Sequence, residues 1–238
     1  MTALFVSDLH IDADRPQVLQ GLNDLVEREA PAADAFYILG DLVEVWIGDD
    51  DDSETAEAVR EALSRAARLC PLHIMHGNRD FLFGQRFARE VGGEIIDDPH
   101  IVDIDGHRVL LTHGDALCTE DTAYQLARQL FRSEAWQKDI LGKSLEERRQ
   151  LARQMRQESR RANANKPENI MDVTPHEVAA LMRRTGCTTL IHGHTHRPGI
   201  HDVPLGDAVG TRYVLGDWDR CGWFIRFDKA PELACFAL

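Results

Sequence analysis

The chain has 238 residues, of which 43% are hydrophobic and 28% charged, and its formal net charge is −13 at pH 7. These values are ordinary for a globular protein that is large enough to bury a substantial core. The acidic balance argues against nucleic acid as a partner, since nonspecific binding to it normally calls for a basic surface. No apolar run approaches the roughly 20 residues needed to cross a bilayer, and the N-terminus lacks a secretion-signal pattern.

The cysteines favour a cytoplasmic location. There are five, an odd number, and no two have Cys-x-x-Cys spacing: Cys70, Cys118, Cys187, Cys221 and Cys235. This pattern argues against a disulfide framework and against a structural zinc site, and is typical of a reducing compartment.

Five short apolar runs, separated by helical patterns, predict the buried strands of an α/β fold. In chain order they cover residues 3–7, 35–39, 72–76, 109–112 and 188–192. Helices are predicted at 16–29, 54–69, 87–91 and 175–185, from apolar residues at helical spacing and from start and stop signals. The chain therefore has the alternating pattern of strand and helix along most of its length.

Local signals refine these elements. Thr174–Glu177 has the sequence of a capping box, with a proline at the first helical position. Residues 101–108 contain Asp-Gly, the signal of a hairpin turn. Residues 212–215 and 223–227 are expected to form a closing antiparallel hairpin. The acidic run Asp49–Asp52 lacks the residue order of an EF-hand loop, so we interpret it as acids at the start of helix 54–69, where the helix dipole favours them.

Residues 119–170 break this alternation, because they are helical and contain no predicted strand. Ser144–Glu147 forms a second capping box that opens a long helix. Four arginines share one face of that helix, with no acidic partners between them: Arg149, Arg153, Arg156 and Arg160. We interpret this face as an interaction surface.

Each predicted strand ends at a potential metal ligand. The set is Asp8, His10, Asp41, Asn78, His113, His194 and His196. Open α/β sheets place their sites beyond the carboxyl ends of the strands, so these side chains are expected to converge. Carboxylate, amide and imidazole ligands without thiolates suit Mn²⁺ or Fe²⁺ and tolerate Zn²⁺. Seven ligands fit two ions that share a carboxylate better than one ion.

The five ligand blocks resemble those of the calcineurin-like metallophosphoesterases. They are Asp8-x-His10, Gly40-Asp41, Gly77-Asn78, His113-Gly114-Asp115 and Gly193-His194-Thr195-His196. The resemblance implies an αββα sandwich, with a core over 1–118 and 171–238 and a helical cap inserted at 119–170. It assigns Asp8, His10, Asp41 and His196 to one ion, and Asp41, Asn78, His113 and His194 to the other.

Arg79 differs from the broad family, because most members have a histidine directly after the asparagine that corresponds to Asn78. Arginine stays charged, so it cannot act as a general acid. It can stabilise negative charge that develops on phosphate oxygens. The substitution therefore suits a leaving group that is itself a phosphate and needs no proton.

Three features narrow the resemblance to the UDP-2,3-diacylglucosamine pyrophosphatases of lipid A biosynthesis: Gly77–Asp80, Trp46–Asp50 and the helical insert. This implies that a metal-bound hydroxide attacks the α-phosphorus of UDP-2,3-diacylglucosamine, giving UMP and 2,3-diacylglucosamine 1-phosphate (lipid X). Two Mn²⁺ ions are implied, with Fe²⁺ or another divalent metal as the alternative. The substrate contacts carried over are Asn78, Arg79, Asp121, Ser159, Asn163, Lys166 and His194, among which Asn78, Arg79 and His194 are also catalytic.

The lipid substrate implies peripheral contact with the anionic cytoplasmic face of the inner membrane, and we expect the four arginines of the insert to make it. No obligate protein partner is evident. Two alternatives remain: a metallophosphoesterase that cleaves soluble diesters, and a non-catalytic scaffold that keeps the fold. Glu44, Asp80 and Asp115 are candidates for orienting the ligands.

Overall fold

The structure is a computed structural model that describes residues 1–163 and 168–238. The strands are β1 Ala3–Val6, β2 Ala35–Leu39, β3 Leu72–Met75, β4 Glu94–Ile96, β5 His100–Ile104, β6 His107–Thr112, β7 Thr189–His192, β8 Gly199–Pro204, β9 Val209–Val214, β10 Cys221–Phe227 and β11 Pro231–Ala237. The α-helices are α1 Pro16–Glu29, α2 Glu54–Leu69, α3 Gln85–Val91, α4 Thr122–Phe131, α5 Glu134–Leu141, α6 Leu145–Asn163 and α7 Pro175–Thr185.

The strands form two sheets. The first has six strands in the order β11-β10-β1-β2-β3-β4, and the second has five in the order β5-β6-β7-β9-β8. Strands β1 to β4 are parallel in the first sheet, and β6, β7 and β9 are parallel in the second. The loops that follow these parallel strands carry the predicted ligands.

Alternation along the strands explains how the sheets stack. In β2, Phe36 and Ile38 pack on the helix side of the first sheet, whereas Tyr37 and Leu39 pack between the two sheets. A third cluster, which includes Met182 of α7, covers the outer face of the second sheet. Because both faces of β2 are buried, its sequence is continuously apolar. The predicted αββα sandwich is confirmed.

Most predicted elements are found, but the closing hairpin is wrong. Strand β9 pairs with β7 and β8 in the second sheet, and β10 pairs with β1 and β11 in the first. The connection between β9 and β10 crosses from one sheet to the other past the fully buried Trp218. The prediction missed β4, β8 and β11 because they are edge strands whose exposed positions interrupt any apolar run.

Two capping predictions are also corrected. Ser53 caps α2 by accepting from the amide of Ala56, while the Asp49 carboxylate accepts from the amides of Gly84 and Phe87, at 2.8 and 2.9 Å, and so caps α3 instead. The Thr174 side chain makes no cap on α7, since its hydroxyl oxygen accepts from the hydroxyl of Thr119 at 2.8 Å.

Helix α6 is held on the core by ion pairs with the acidic run. The Arg148 guanidinium donates to both carboxylate oxygens of Asp50, at 2.7 and 2.5 Å, and Arg149 pairs with Asp52. Arg156 donates to Glu44 at 2.9 Å. The interpretation of the arginine face as lacking acidic partners is therefore wrong.

The other two arginines of that face have different surroundings from Arg149 and Arg156. Arg153 pairs with Glu146 of its own helix at 3.5 Å, and Arg160 lines a cavity described below.

The proposed boundaries of the insert, at 119 and 170, stay a prediction. None of the helices in the two described ranges combines the length and the apolar character that crossing a membrane requires.

We predict that the buried His192 makes folding less favourable in acid. Burial, reinforced by Arg212, lowers the pKa of His192 to about 3, whereas an unfolded histidine titrates near pH 6.5. Between these values only the unfolded chain takes up the proton, so stability falls as the pH falls. The test is the free energy of unfolding in urea, measured on metal-free protein at about pH 7.5 and about pH 5. The decrease in this free energy between the two pH values should be about 2 kcal/mol smaller in His192→Gln than in the wild type. Equal losses in both proteins would contradict this assignment.

Candidate metal centre

The backbone at the strand ends is held in an uncommon conformation. Among the described residues other than glycine, six have a positive φ, and five of these are predicted metal ligands: Asp8, His10, Asp41, His194 and His196, with φ between 50° and 68°. Each such residue costs on the order of 1–3 kcal/mol and persists only where the surrounding structure holds it in place. This strain is concentrated where the ligand side chains must turn back toward one another.

Two glycines allow the ligand loops to approach closely. A Cβ at Gly77 would overlap the Asp41 carboxylate, and a Cβ at Gly193 would overlap that of Asp8. In the space so gained, the amide of Arg79 donates to Asp41 Oδ1 at 2.9 Å. The amide of His194 donates to Asp8 Oδ2 at 2.8 Å. Each carboxylate is thus fixed by the backbone of an opposing loop.

The first group of ligands lies around Asp8. Asp8, His10 and His196 each offer an atom within 4.8 Å of the others. The two Nε2 atoms of His10 and His196 are 3.1 Å apart, and His196 Nε2 lies 3.6 Å from Asp8 Oδ1. Ring nitrogens at this distance can share a cation between them.

The second group adjoins the first. Asp8, Asp41 and His113 also offer atoms within 4.8 Å of one another. Asn78 Oδ1 lies 3.1 Å from His113 Nε2 and 2.9 Å from His194 Nδ1. The structure therefore brings all seven predicted ligands to one place.

The residues shared between the groups differ from the expectation in one respect. Asp8 belongs to both groups, whereas the resemblance makes Asp41 the bridge. The Asp41 carboxylate lies 3.7 Å from His113 Nε2 and 3.9 Å from His10 Nδ1. It is therefore next to both groups as well, and its bridging role stays a prediction.

The electrostatics of these residues fit a divalent cation. Asp8 Oδ1 and His10 Nδ1 are buried without a hydrogen-bond partner, which is costly unless a ligand compensates. Burial lowers the pKa of His113, but Asp41, Asp8 and Asp115 outweigh burial and raise it to about 9. Burial raises the pKa of Asp41. Clustered carboxylates that hold a proton on a neighbouring imidazole offer a strong site for a cation that displaces that proton.

Hydrogen bonds fix two of the segments that carry candidate ligands. The buried Asp80 accepts from the amides of Gly77 and Leu42, both at 2.7 Å, and burial raises its pKa to about 7. The His113 Nδ1–H donates to the carbonyl of Leu39 at 2.8 Å, which leaves Nε2 free for a metal.

Sequence reasoning missed Asp217, whose Oδ2 lies 3.6 Å from His196 Nδ1. The available signal was its place after an apolar run that ends in Gly216, since this is the pattern of the other blocks. Asp115 accepts from Tyr124 Oη and from Arg128 Nε, both at 2.7 Å. It thereby links the metal centre to α4.

A cavity of about 710 Å³ opens beside the metal centre and extends under α4, α5 and α6. Five of the predicted substrate contacts line it: Asn78, Arg79, Asp121, Ser159 and His194. Asn163 is the last residue of α6, and its side chain, like the whole of Lys166, lies outside the described residues. The apolar part of the lining includes Trp46, Phe81, Phe131, Trp136, Ile140 and Met155.

Comparison with known proteins identifies the family of the chain. A family model described as calcineurin-like phosphoesterase matches residues 1–198. The chain belongs to this family. A Chromohalobacter salexigens protein named UDP-2,3-diacylglucosamine hydrolase is 46% identical over 100% of this chain and 98% of its own length. A relative of the same name from Aeromonas salmonicida is 46% identical over 99% of this chain and 90% of its own. A solved archaeal phosphodiesterase aligns over 99% of this chain and 100% of its own, with a TM-score of 0.49 and 13% identity.

We predict that Gly77→Ala weakens metal binding and also lowers the stability of the fold. The added Cβ would overlap both the carboxylate and the backbone nitrogen of Asp41, so the side chain and its loop must shift. Displacing a ligand or its support typically costs about 10–100-fold in metal affinity. Titration calorimetry with Mn²⁺ measures this directly. Gly142→Ala is the control, because its nearest neighbours lie 3.3 and 3.5 Å away and it is remote from the ligands. A folded Gly77→Ala protein with unchanged Mn²⁺ affinity would show that this approach is not required.

Proposed function

We propose that the protein hydrolyses UDP-2,3-diacylglucosamine to UMP and 2,3-diacylglucosamine 1-phosphate, a step in lipid A biosynthesis. The observation that carries this proposal is one cavity in which a metal-ligand set, several arginines and an apolar wall meet. The ligand set and the arginines suit the anionic diphosphate of the substrate, and the apolar wall suits its acyl chains. Relatives with this name in their descriptions cover nearly the whole chain.

In the proposed reaction, the oxygen of a water molecule bonds to the α-phosphorus, and the bond from that phosphorus to the bridging oxygen breaks. The bridging oxygen leaves with the β-phosphate, as part of the diacylglucosamine 1-phosphate. We propose that the seven ligands hold two divalent ions, Mn²⁺ or Fe²⁺. When bound, such ions lower the pKa of water and neutralise phosphate charge.

Arg79 is proposed to stabilise the leaving phosphate. Its Nε lies 3.3 Å from Asp41 Oδ2, and its side chain lines the cavity, so it borders both the metal centre and the substrate space. A permanent charge placed there favours the developing negative charge without any proton transfer. Asn78 and His194, which share a contact of 2.9 Å, are proposed to fix the reacting phosphate beside it.

The cap is proposed to bind the glucosamine and its acyl chains. Asp121, at the start of α4, and Ser159, on α6, provide polar groups. Asn163 and Lys166 are proposed to add contacts at the end of the same segment. The apolar wall, which includes Phe81 of the core and Trp136 of α5, suits two acyl chains and has no obvious use in an enzyme for small soluble diesters.

We also propose that the protein works at the cytoplasmic face of the inner membrane, where its substrate resides. The arginine face of α6 does not support this contact, since Arg149 and Arg156 pair with acids of the core, Arg153 pairs with Glu146 of its own helix, and Arg160 lines the cavity. Support comes instead from Leu126 and Leu130 of α4, which are 69% and 54% exposed and adjoin the cavity-lining Ala127 and Phe131. The five free cysteines are in keeping with a reducing compartment.

The first test is a product assay on UDP-2,3-diacylglucosamine in detergent micelles and ¹⁸O-water, read by mass spectrometry. We expect UMP and lipid X only when Mn²⁺ is present, with the label in UMP because the α-phosphorus is attacked. Arg79→Ala should lower kcat by about 10²–10³-fold, the usual cost of removing one group that stabilises developing charge.

Two outcomes would count against this mechanism. Label in lipid X would place the attack on the β-phosphorus, and full activity of Arg79→Ala would remove its proposed role. Cleavage of a soluble diester without turnover of the lipid would favour the alternative phosphodiesterase, and no hydrolysis of either would favour the non-catalytic scaffold. His10→Ala is the control for a reaction that depends on the metal centre.

The membrane proposal has a separate test. Replacing Leu126 and Leu130 together by glutamate places two negative charges against an anionic surface, so sedimentation with vesicles of phosphatidylethanolamine and phosphatidylglycerol should decrease severalfold. Ile200 and Val209 are the matched control, because they are 56% and 65% exposed but lie in the second sheet, away from the cavity. Equal sedimentation of the α4 variant and the wild type would contradict the contact.

A further inference from the structure

A continuous line of charged groups joins the metal centre to the cap. Asp41 Oδ2 lies 3.3 Å from Arg79 Nε, and Arg79 Nη1 donates to Glu44 Oε2. The other oxygen of Glu44 accepts from Arg156 Nε at 2.9 Å and from its Nη2 at 2.5 Å. Glu44 is therefore shared between an arginine of the core and an arginine of α6.

These groups are largely removed from solvent. The side chains of Arg79, Glu44 and Arg156 are 18%, 23% and 18% exposed, respectively. Burial, followed by the charge of Arg79, lowers the pKa of Arg156, and Glu44 acts in the opposite direction. Two guanidinium groups that repel each other in a partly buried space need the carboxylate between them.

The backbone of Glu44 is fixed by both neighbouring ligand loops. Its amide donates to the carbonyl of Ile11 at 3.0 Å, beside His10, and the amide of Trp46 donates to the carbonyl of Arg79 at 3.1 Å. The carboxylate therefore projects from a rigid segment, so its position can set the positions of both arginines.

Cap attachment alone does not account for this arrangement. Arg148 and Arg149 already tie α6 to Asp50 and Asp52, in contacts that do not include Arg79. Several ion pairs join α6 to the core within the described ranges. Of these, only the pair of Arg156 with Glu44 uses a carboxylate that also pairs with a residue at the metal centre, namely Arg79.

We infer that Glu44 is a positioning residue that holds Arg79 beside Asp41 and, through Arg156, makes this orientation depend on the seating of α6. The effect of this positioning on the rate of hydrolysis rests on the proposed function. An open cap would take Arg156 away from Glu44, so the carboxylate that orients Arg79 would lose one of its two partners. Hydrolysis of the diphosphate would then be favoured only when α6 has closed over the substrate.

The kinetic test is a double-mutant cycle on Glu44 and Arg156 in the full-length chain with metal bound. Glu44→Gln, which keeps the size of the side chain and removes its charge, should lower kcat by roughly 10–100-fold, with a much smaller change in KM, because Arg79 acts on charge that develops during the reaction. Arg156→Met should also lower kcat, but it should have less than about a twofold further effect in the Glu44→Gln background. Arg156→Lys, which keeps the charge, should restore most of the activity.

Arg149→Met is the matched control, because it removes another ion pair between α6 and the core without touching Glu44. It should change kcat by less than about twofold. Independent, additive effects of Glu44→Gln and Arg156→Met, or an equal loss in Arg149→Met, would overturn the inference and leave a purely structural attachment.

Amide hydrogen exchange provides a readout that needs no substrate. The amides of Arg79 and Trp46 belong to the segment that Glu44 organises, so they should exchange severalfold faster in Arg156→Met and remain unchanged in Arg149→Met. Unchanged exchange in both variants would overturn the coupling. If the wild type failed to turn over the lipid while these amides responded as expected, the proposed substrate would be wrong and the role of Glu44 would stand.

Discussion

The metal centre depends on the burial of opposing charges where the two sheets meet. Asp8, Asp41 and His113 are at most 1% exposed, and ionised groups at such depth persist only when partners surround them. Backbone amides of the facing loops supply some of these partners, and a cation would supply the rest. The positive φ values at the strand ends and the close approach at Gly77 and Gly193 follow from bringing these loops together.

A second constraint sets the position of the cap. The acidic run after β2 distributes its four carboxylates among different helices. Asp49 caps α3, and Asp51 accepts from the amide of Ser53 at the start of α2, whereas Asp50 and Asp52 bind Arg148 and Arg149 of α6. The same loop continues from Asp41, which lies next to both groups of candidate ligands. One segment of the core therefore positions a metal ligand, a core helix and the cap, so the geometry of the cavity is tied to that of the metal centre.

The convergence of the seven candidate ligands could be predicted from the sequence because each one follows a buried strand, and such strands form continuous apolar runs. Contacts between distant segments could not be predicted in this way. Glu44 and Arg156 are 112 residues apart, and nothing in the spacing of the arginines on α6 reveals their partners. Likewise, β9 and β10 have strand-like sequences, but only the packing around the buried Trp218 separates them into different sheets. The positive φ of five ligands also carries no local signal, since aspartate and histidine are common in ordinary loops.

The net charge of −13 conceals an opposite local charge. Seven arginines line the cavity, namely Arg79, Arg128, Arg132, Arg148, Arg156, Arg160 and Arg197, against the three acids Asp41, Asp121 and Glu158. A protein that repels anions overall thus offers them one favourable space. Arg79, Arg128 and Arg156 are already paired with carboxylates, which limits the cost of burying them. A diphosphate entering there meets guanidinium groups that are already oriented, so little of its binding energy is lost to ordering them.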